Sequence, residues 1–155
     1  EAGQSAAEVG RRGAGSIFAG TQSGTFDAKK ARVSVPAPFR AVLARLNAEE
    51  VVLRKSSHSP CIEVWPKPTF DEEVNRRIAD LDPFDPSYEK LSRKLVARIH
   101  VLRPDSEGRM VLPKELVEKA QLDGEIAYSG RIRFFQIWNA ARLAEAEAAD
   151  EEDEA

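Results

Sequence analysis

The sequence predicts an α+β fold made of two similar halves, because one characteristic stretch occurs twice. In the clearer copy, residues 105–113 (DSEGRMVLP), a turn is followed by a short apolar strand and then by a proline. Aspartate accepts backbone hydrogen bonds in turns, glycine takes the positive φ that tight turns need, and proline favours the start of a helix. Residues 27–36 (DAKKARVSVP) are a less regular copy, so the chain contains an internal repeat.

The spacing of other residues supports the repeat. Arg32 and Arg109 lie 77 residues apart, and Trp65 and Trp138 lie 73 residues apart. The predicted elements also follow each copy in the same order. Each half is too small to bury much apolar surface alone, so we expect the halves to pack or interleave with each other. Unpaired edges on such short sheets would also favour self-association.

Residues 17–67 form the first predicted unit. Alternating apolar and polar residues predict a strand at 33–35. Pro36 then opens a helix, and four apolar residues have the i, i+3, i+4, i+7 spacing of one helix face: Phe39, Val42, Leu43 and Leu46. Two further strands, at 51–53 and 62–65, complete the unit.

Residues 68–96 are predicted to form helices that connect the two units, with a break at the prolines of segment 80–86. The second unit, residues 97–140, repeats the order of the first. Strands flank its turn, a helix follows Pro113, and two more strands close the unit. The sequence therefore predicts two tandem βαβ units joined by helices.

The two ends of the chain differ from the rest in composition. Residues 1–15 are rich in Gly, Ala and Ser and are predicted to be a flexible arm, although Arg11 and Arg12 could touch phosphate. Residues 141–155 are predicted to hold a helix end and an acidic, disordered tail, with DNA mimicry as the alternative. Between the ends, residues 13–143 contain 21 Lys+Arg against 17 Asp+Glu. The folded part is thus mildly basic, which permits binding to a polyanion.

Composition and motifs do not support an enzyme. His58 and Cys61 could form a Cys/His nucleophile pair, but a loop histidine beside a half-buried cysteine is the simpler explanation. Two histidines and one cysteine are too few for a tetrahedral zinc site, and no phosphate-binding glycine loop follows a strand. No apolar run approaches the roughly 20 residues of a membrane span. We therefore expect no enzyme activity, metal, cofactor, small-molecule substrate or membrane partner.

Four stretches together resemble the MraZ family of bacterial transcriptional regulators: 17–21 (IFAGT), 61–66 (CIEVWP), 105–113 and 135–138 (FQIW). The resemblance covers residues 17–143. It implies two tandem swapped-hairpin units of the AbrB/SpoVT type that form one pseudo-symmetric, double-barrel-like domain. The chain departs from the family pattern in the first turn, which has five steps from Asp27 to Arg32 and lacks the glycine before the arginine.

The resemblance also implies a function. Members of the family are cytoplasmic, nucleoid-associated proteins that bind double-stranded operator DNA and form ring-like homo-oligomers. They typically repress the operon for cell division and peptidoglycan synthesis to which their own gene belongs. The chain is therefore predicted to be a sequence-specific DNA-binding regulator, probably of the repressor type expected for the family. The alternative is an antitoxin-like or oligomeric protein-interaction module with the same fold.

The predicted DNA-binding residues are basic side chains on the two turns and beside the first helix: Lys29, Lys30, Arg32, Arg109 and Arg40. Lys and Arg neutralise phosphates and release counterions, and a guanidinium can pair with guanine in the major groove, where a β-ribbon fits. The first turn is favoured, because the second could face a neighbouring subunit. Asp105 and Arg109 could also simply pair with each other.

Overall fold

The computed structural model describes residues 17–154, which form eight strands and five helices. The strands are β1 (Thr21–Phe26), β2 (Arg32–Ser34), β3 (Val51–Lys55), β4 (Ile62–Pro66), β5 (His100–Leu102), β6 (Arg109–Val111), β7 (Gly124–Gly130) and β8 (Phe135–Asn139). The helices are α1 (Ala37–Arg45), α2 (Lys67–Ile78), α3 (Pro86–Val96), α4 (Lys114–Ala120) and α5 (Ala140–Glu154). The predicted α+β class is confirmed. The predicted arm, residues 1–15, lies outside the described residues.

Proline and aspartate mark the starts of three helices as predicted. Pro36 immediately precedes α1, and Pro113 immediately precedes α4. Asp85 caps α3, because its carboxylate accepts a hydrogen bond of 2.9 Å from the Ser87 backbone N–H. Helix α1 buries most of its predicted apolar face, whereas α3 has no fully buried side chain. Within residues 17–154, none of the helices combines the length and hydropathy needed to cross a membrane.

The two halves interleave through their strands. A six-stranded antiparallel sheet has the order β1-β7-β8-β4-β3-β5, and β2 pairs with β6 in a separate two-stranded sheet, called the ribbon below. Each of the first four strands pairs with a strand of the second half, which confirms the expected interleaving. The predicted double-barrel-like closure is wrong for this chain, since the six-stranded sheet is open. Strands β2 and β6 leave it after the turns and pair with each other, so β1 and β5 remain as edges.

The register of the ribbon is two-fold symmetric. Arg32 lies opposite Val111, and Ser34 lies opposite Arg109. Positions that are 77 apart in sequence, such as Arg32 and Arg109, therefore occupy equivalent places at diagonal corners. Two further backbone hydrogen bonds extend the symmetry, from Val35 N–H to the Gly108 carbonyl (2.8 Å) and from Leu112 N–H to the Ala31 carbonyl (2.7 Å). The sequence repeat thus corresponds to a structural repeat.

The centre of the six-stranded sheet follows the same symmetry. Glu63 on β4 lies opposite Gln136 on β8. The Trp65 indole N–H donates to the Glu63 carboxylate (3.0 Å), and the Trp138 indole N–H donates to the Gln136 side-chain oxygen (2.8 Å). Trp138 is buried, and Trp65 stacks on Phe134 with ring centroids 4.4 Å apart. Both tryptophans are packing residues, as the sequence predicts.

The core lies where α1 and α4 pack under the sheet and ribbon. Three phenylalanines from distant parts of the chain, Phe18, Phe39 and Phe135, meet there with ring centroids 4.9 to 5.5 Å apart. The inner face of the ribbon adds Val33 and Met110, which are also buried. Burial of these side chains holds the ribbon firmly against the rest of the molecule.

The acidic end of the chain corrects the prediction of a disordered tail. Residues 140–154 form one helix, α5, which buries Leu143 and packs Ala146 against the sheet. Asn139 starts the helix, because its side-chain oxygen accepts hydrogen bonds from the N–H groups of Ala141 (3.0 Å) and Arg142 (3.4 Å). Charge density suggested disorder, but the high helix propensity of Ala, Leu, Glu and Arg was the stronger determinant.

Candidate nucleic-acid interface

The ribbon presents one buried face and one outer face. Val33 and Met110 point inward, so the alternation of side chains along each strand puts the neighbouring positions outside. The outer face consists of Arg32, Ser34, Arg109 and Val111. Residues on diagonal positions of an antiparallel pair have Cβ atoms about 7–8 Å apart, which applies to the two arginines. The fold therefore brings two of the predicted site residues to one surface.

The first turn, residues 27–32, joins β1 to β2 and projects beyond one end of the ribbon. The Asp27 carboxylate accepts hydrogen bonds from the backbone N–H groups of Lys29 (3.1 Å) and Lys30 (3.2 Å). Asp27 and Arg32 also exchange two backbone hydrogen bonds, of 2.9 and 3.1 Å. Ala31 has φ of 52° and takes the left-handed conformation for which glycine was expected. The longer turn is consequently well ordered by its aspartate.

The cationic groups of the first turn have no protein partner. Lys29 and Lys30 are exposed, and Arg32 is half-buried. In the part of the chain that the structure describes, none of these three side chains makes an ion pair or a hydrogen bond. Three positive charges therefore lie together at one end of the ribbon and are available to an external anion.

The second turn, residues 105–109, differs in its charges. The Asp105 carboxylate accepts hydrogen bonds of 2.9 Å from the N–H groups of Glu107 and Arg109, and Gly108 has φ of 79°. The backbone N–H of Arg109 lowers the pKa of the Asp105 carboxyl below its ordinary value of 3.8, so the group is charged at neutral pH. Asp105 also accepts a hydrogen bond of 2.8 Å from the Arg109 guanidinium. The pairing of Asp105 with Arg109, left open by the sequence, is thus present.

A second carboxylate also holds Arg109. Its guanidinium lies 2.7 Å from the Glu107 carboxylate, measured from Nη2 to Oε2. The Arg109 side chain is 40% exposed and the Glu107 side chain 66% exposed, so both remain in contact with solvent. Arg109 is therefore on the predicted surface but already has two anionic partners, whereas Arg32 has none.

Arg40 lies against the second turn rather than beside the first. Its guanidinium donates a hydrogen bond to the Glu107 carbonyl. Its aliphatic stem passes close to Gly108, where an added Cβ would be 2.5 Å from the Arg40 Cδ. Arg40 is half-buried and supports the turn from below, and its contact with DNA stays a prediction. The contact spans 67 residues, so nothing in the local sequence indicates it.

The structure also places the residues considered for catalysis. Cys61 is fully buried, and burial raises the pKa of its thiol to about 12. A thiol that stays protonated is a poor nucleophile, so Cys61 does not fit a Cys/His pair. His58 is exposed in the loop before β4. Within residues 17–154, no three His, Cys, Asp or Glu side chains are grouped to hold a metal ion.

Sequence reasoning missed three members of the surface: Ser34, Val111 and Glu107. The first two become part of the outer face only through the register of β2 with β6, which depends on contacts between the halves. A signal for Glu107 was present, because a residue 77 positions earlier in the repeat is Lys30. The equivalent positions of the two turns thus hold opposite charges.

Comparison with known proteins places the chain in a family. Residues 17–94 match the family described as "MraZ protein, putative antitoxin-like". A protein of Gluconobacter oxydans named "Transcriptional regulator MraZ" is 41% identical over 133 residues, which cover 84% of this chain and 80% of the relative. The chain belongs to the MraZ family.

Other MraZ relatives agree with this assignment. Proteins with the same name are 41% identical in Gluconacetobacter diazotrophicus, covering 81% of this chain and 80% of the relative, and 36% identical in Acidithiobacillus ferrooxidans, covering 81% and 85%. The resemblance found in the sequence is confirmed. The names of these MraZ relatives also support the prediction of a transcriptional regulator.

Proposed function

We propose that the chain regulates transcription by binding double-stranded operator DNA through the first turn and the outer face of the ribbon. The proposal depends on one observation: Lys29, Lys30 and Arg32 present cationic groups that have no partner within residues 17–154. Unpaired cations on a surface turn can neutralise phosphates and release counterions, which supplies affinity. The transcriptional regulators among its relatives support the same function.

The shape of the ribbon supports recognition of the major groove. A two-stranded ribbon fits that groove, and a guanidinium such as that of Arg32 can bind guanine O6 and N7 with two hydrogen bonds. Ser34 and Val111 share the outer face, and Val111 is 60% exposed. A hydroxyl can hydrogen-bond to base edges and an apolar side chain can contact a thymine methyl group. Phosphate contacts would thus come from the turn, and base contacts from the ribbon.

The finer parts of the proposal concern fold type, assembly and target. The interleaved pairing supports two tandem swapped-hairpin units of the AbrB/SpoVT type. Exposed apolar side chains, with Phe84 95% and Ile132 62% exposed, and the edges β1 and β5 support a ring-like homo-oligomer. Repression of its own division and cell-wall operon, in a cytoplasmic and nucleoid-associated protein, follows from the family resemblance.

The test is an electrophoretic mobility shift on a duplex from immediately upstream of its own coding sequence, over a series of salt concentrations. Wild-type protein should form a specific complex whose affinity falls steeply with salt. Replacement of Lys29, Lys30 and Arg32 by alanine should reduce affinity by about 100-fold or more at 0.1 M salt, because about three phosphate or base contacts are lost.

A matched variant controls for net charge. Arg77, Lys90 and Arg93 are exposed cations on α2 and α3, so their replacement by alanine removes the same charge from another surface. This control should bind nearly as tightly as wild type. Equal binding by the turn variant and wild type would contradict the site, and absence of any specific complex with wild type would contradict the function.

The alternative is an antitoxin-like or oligomeric protein-interaction module. The printed description of the family and the incompletely covered helix α3, with no fully buried side chain, favour it. It predicts a stable hetero-complex with a defined second protein on purification and no specific shift of upstream DNA. A specific DNA complex formed by the purified chain alone would contradict this alternative as the main activity.

A further inference from the structure

The two turns of the ribbon are equivalent in fold but opposite in charge. Residues 27–32 hold one carboxylate and three cations, a formal charge of +2, whereas residues 105–109 hold two carboxylates and one cation, a formal charge of −1. The position that differs in sign is 30 in the first turn and 107 in the second, where Lys30 is replaced by Glu107. The ribbon therefore has a positive end and a negative end.

Glu107 also occupies the guanidinium that would otherwise match Arg32. Arg109 uses Nε for Asp105 (2.8 Å) and Nη2 for Glu107 (2.7 Å), so two of its three nitrogens are engaged. Two-pronged recognition of a base or phosphate requires two donors on one edge of the guanidinium. Arg109 would have to release a carboxylate before it could bind DNA in that way.

We propose that Glu107 makes the second turn reject the DNA backbone, so that the symmetric ribbon docks on DNA in one orientation only, with the first turn toward the phosphates. The inference rests on the proposed DNA-binding function and names a residue that determines how that site is used. Without Glu107, the two-fold symmetry of the ribbon would offer two nearly equivalent orientations. A like charge placed against the wrong arrangement is a general means of specificity.

The mechanism acts through charge rather than through stability. Arg109 and Arg32 lie on one face about 7–8 Å apart. That separation is close to the Debye length of about 8 Å at physiological salt, so the charges of the two turns are only partly screened from each other. A phosphate near the second turn would meet the Glu107 carboxylate, which is 66% exposed, before it reached Arg109. A phosphate near the first turn meets Lys29 and Lys30.

Reciprocal charge exchange tests the inference with the same upstream duplex and salt series. Glu107→Lys should add about one phosphate contact, which steepens the salt slope by about 0.9 and tightens binding about eightfold at 0.1 M salt. Lys30→Glu should have the opposite effect of similar size. The double exchange, Lys30→Glu with Glu107→Lys, should return the affinity toward wild type, because the positive end moves to the other turn.

Glu89→Lys is the matched control, since Glu89 is 75% exposed on α3 and the substitution changes net charge equally. It should leave the salt slope unchanged. Glu107→Gln keeps the size of the side chain and should tighten binding by a smaller factor, so it serves if Glu107→Lys disturbs the turn. Thermal unfolding midpoints close to wild type would show that the slopes report DNA contacts.

The outcomes separate this inference from the proposed function. If wild type binds upstream DNA but Glu107→Lys and Glu107→Gln both match Glu89→Lys in affinity and slope, Glu107 does not determine docking and the inference is wrong. If wild type forms no specific complex, the proposed function fails and the inference fails with it. A steeper slope for Glu107→Lys together with a shallower slope for Lys30→Glu supports the inference.

Discussion

At the scale of single residues, Tyr128 links the six-stranded sheet to the ribbon. Its ring is buried, and its hydroxyl donates a hydrogen bond of 2.7 Å to the Ser34 carbonyl on β2. The ring also packs over Gly24, where an added Cβ would be 2.6 Å from the Tyr128 Cε2. One side chain on β7 thus helps to position the strand that bears Arg32.

Tyr128→Phe is expected to lower the free energy of unfolding by about 1–2 kcal/mol, because it removes one hydrogen bond and leaves a carbonyl without that donor. Urea unfolding followed by circular dichroism measures the change. Tyr88→Phe is the control, since the Tyr88 hydroxyl has no hydrogen-bond partner within residues 17–154. An equal loss in both variants would show that the Ser34 contact is not the cause.

Cys61 is expected to resist thiol reagents in the folded protein at pH 8, because burial raises the pKa of its thiol from 9.0 to about 12. A pKa that is raised by folding adds stability below its unfolded value, and that stability is lost as pH rises from about 9 toward 12. Burial likewise raises the pKa of Tyr128 to about 12, so the same alkaline window affects both groups. Rapid labelling of Cys61 without unfolding would contradict this account.

At the scale of elements, the two turns achieve one conformation with different residues. Gly108 and Ala31 occupy equivalent positions with φ of 79° and 52°. Glycine adopts this conformation freely, whereas alanine pays a steric cost because of its Cβ atom. The first turn tolerates the cost because its backbone is held by Asp27 at both ends.

The two positions should respond to substitution with opposite signs. Gly108→Ala is expected to lower the free energy of unfolding by about 1–3 kcal/mol, because φ is unfavourable and the new Cβ would be 2.5 Å from the Arg40 Cδ. Ala31→Gly is expected to raise it by up to about 1 kcal/mol as the strain is relieved. Denaturant unfolding of both variants checks the signs, and destabilisation by Ala31→Gly would contradict the assigned strain.

At the scale of the whole molecule, the halves depend on each other for their sheets. Each of the first four strands takes a partner from the second half, so neither half has a complete sheet alone. The phenylalanine cluster likewise combines Phe18 and Phe39 with Phe135. We infer that the described residues unfold as one cooperative unit.

Fragment 17–96 is therefore not expected to fold as a monomer, and it should gain structure only with fragment 97–154 or with a second copy of itself. Far-ultraviolet circular dichroism and sedimentation measure folding and association together. The uncut chain is the reference. A folded monomer of 17–96 with a cooperative transition would contradict the requirement for pairing between halves.

The local sequence was sufficient for much of the fold. Turn chemistry at Asp105 and Gly108, the prolines before α1 and α4, and the cap at Asp85 all act within a few residues, so pattern reasoning can find them. The same applies to the repeat and to the family. Reasoning from charge alone failed for α5, where helix propensity and the Asn139 cap prevail.

The sequence by itself determined the α+β class, the two-part repeat, the candidate basic turns and membership of the MraZ family. Only the tertiary structure decided that Arg32 and Arg109 share one face, that Arg40 supports the second turn, and that Arg109 is held by two carboxylates. The first two facts depend on contacts between distant parts of the chain, and the third on side-chain geometry. Such contacts form through packing of the two halves, which local propensities do not encode.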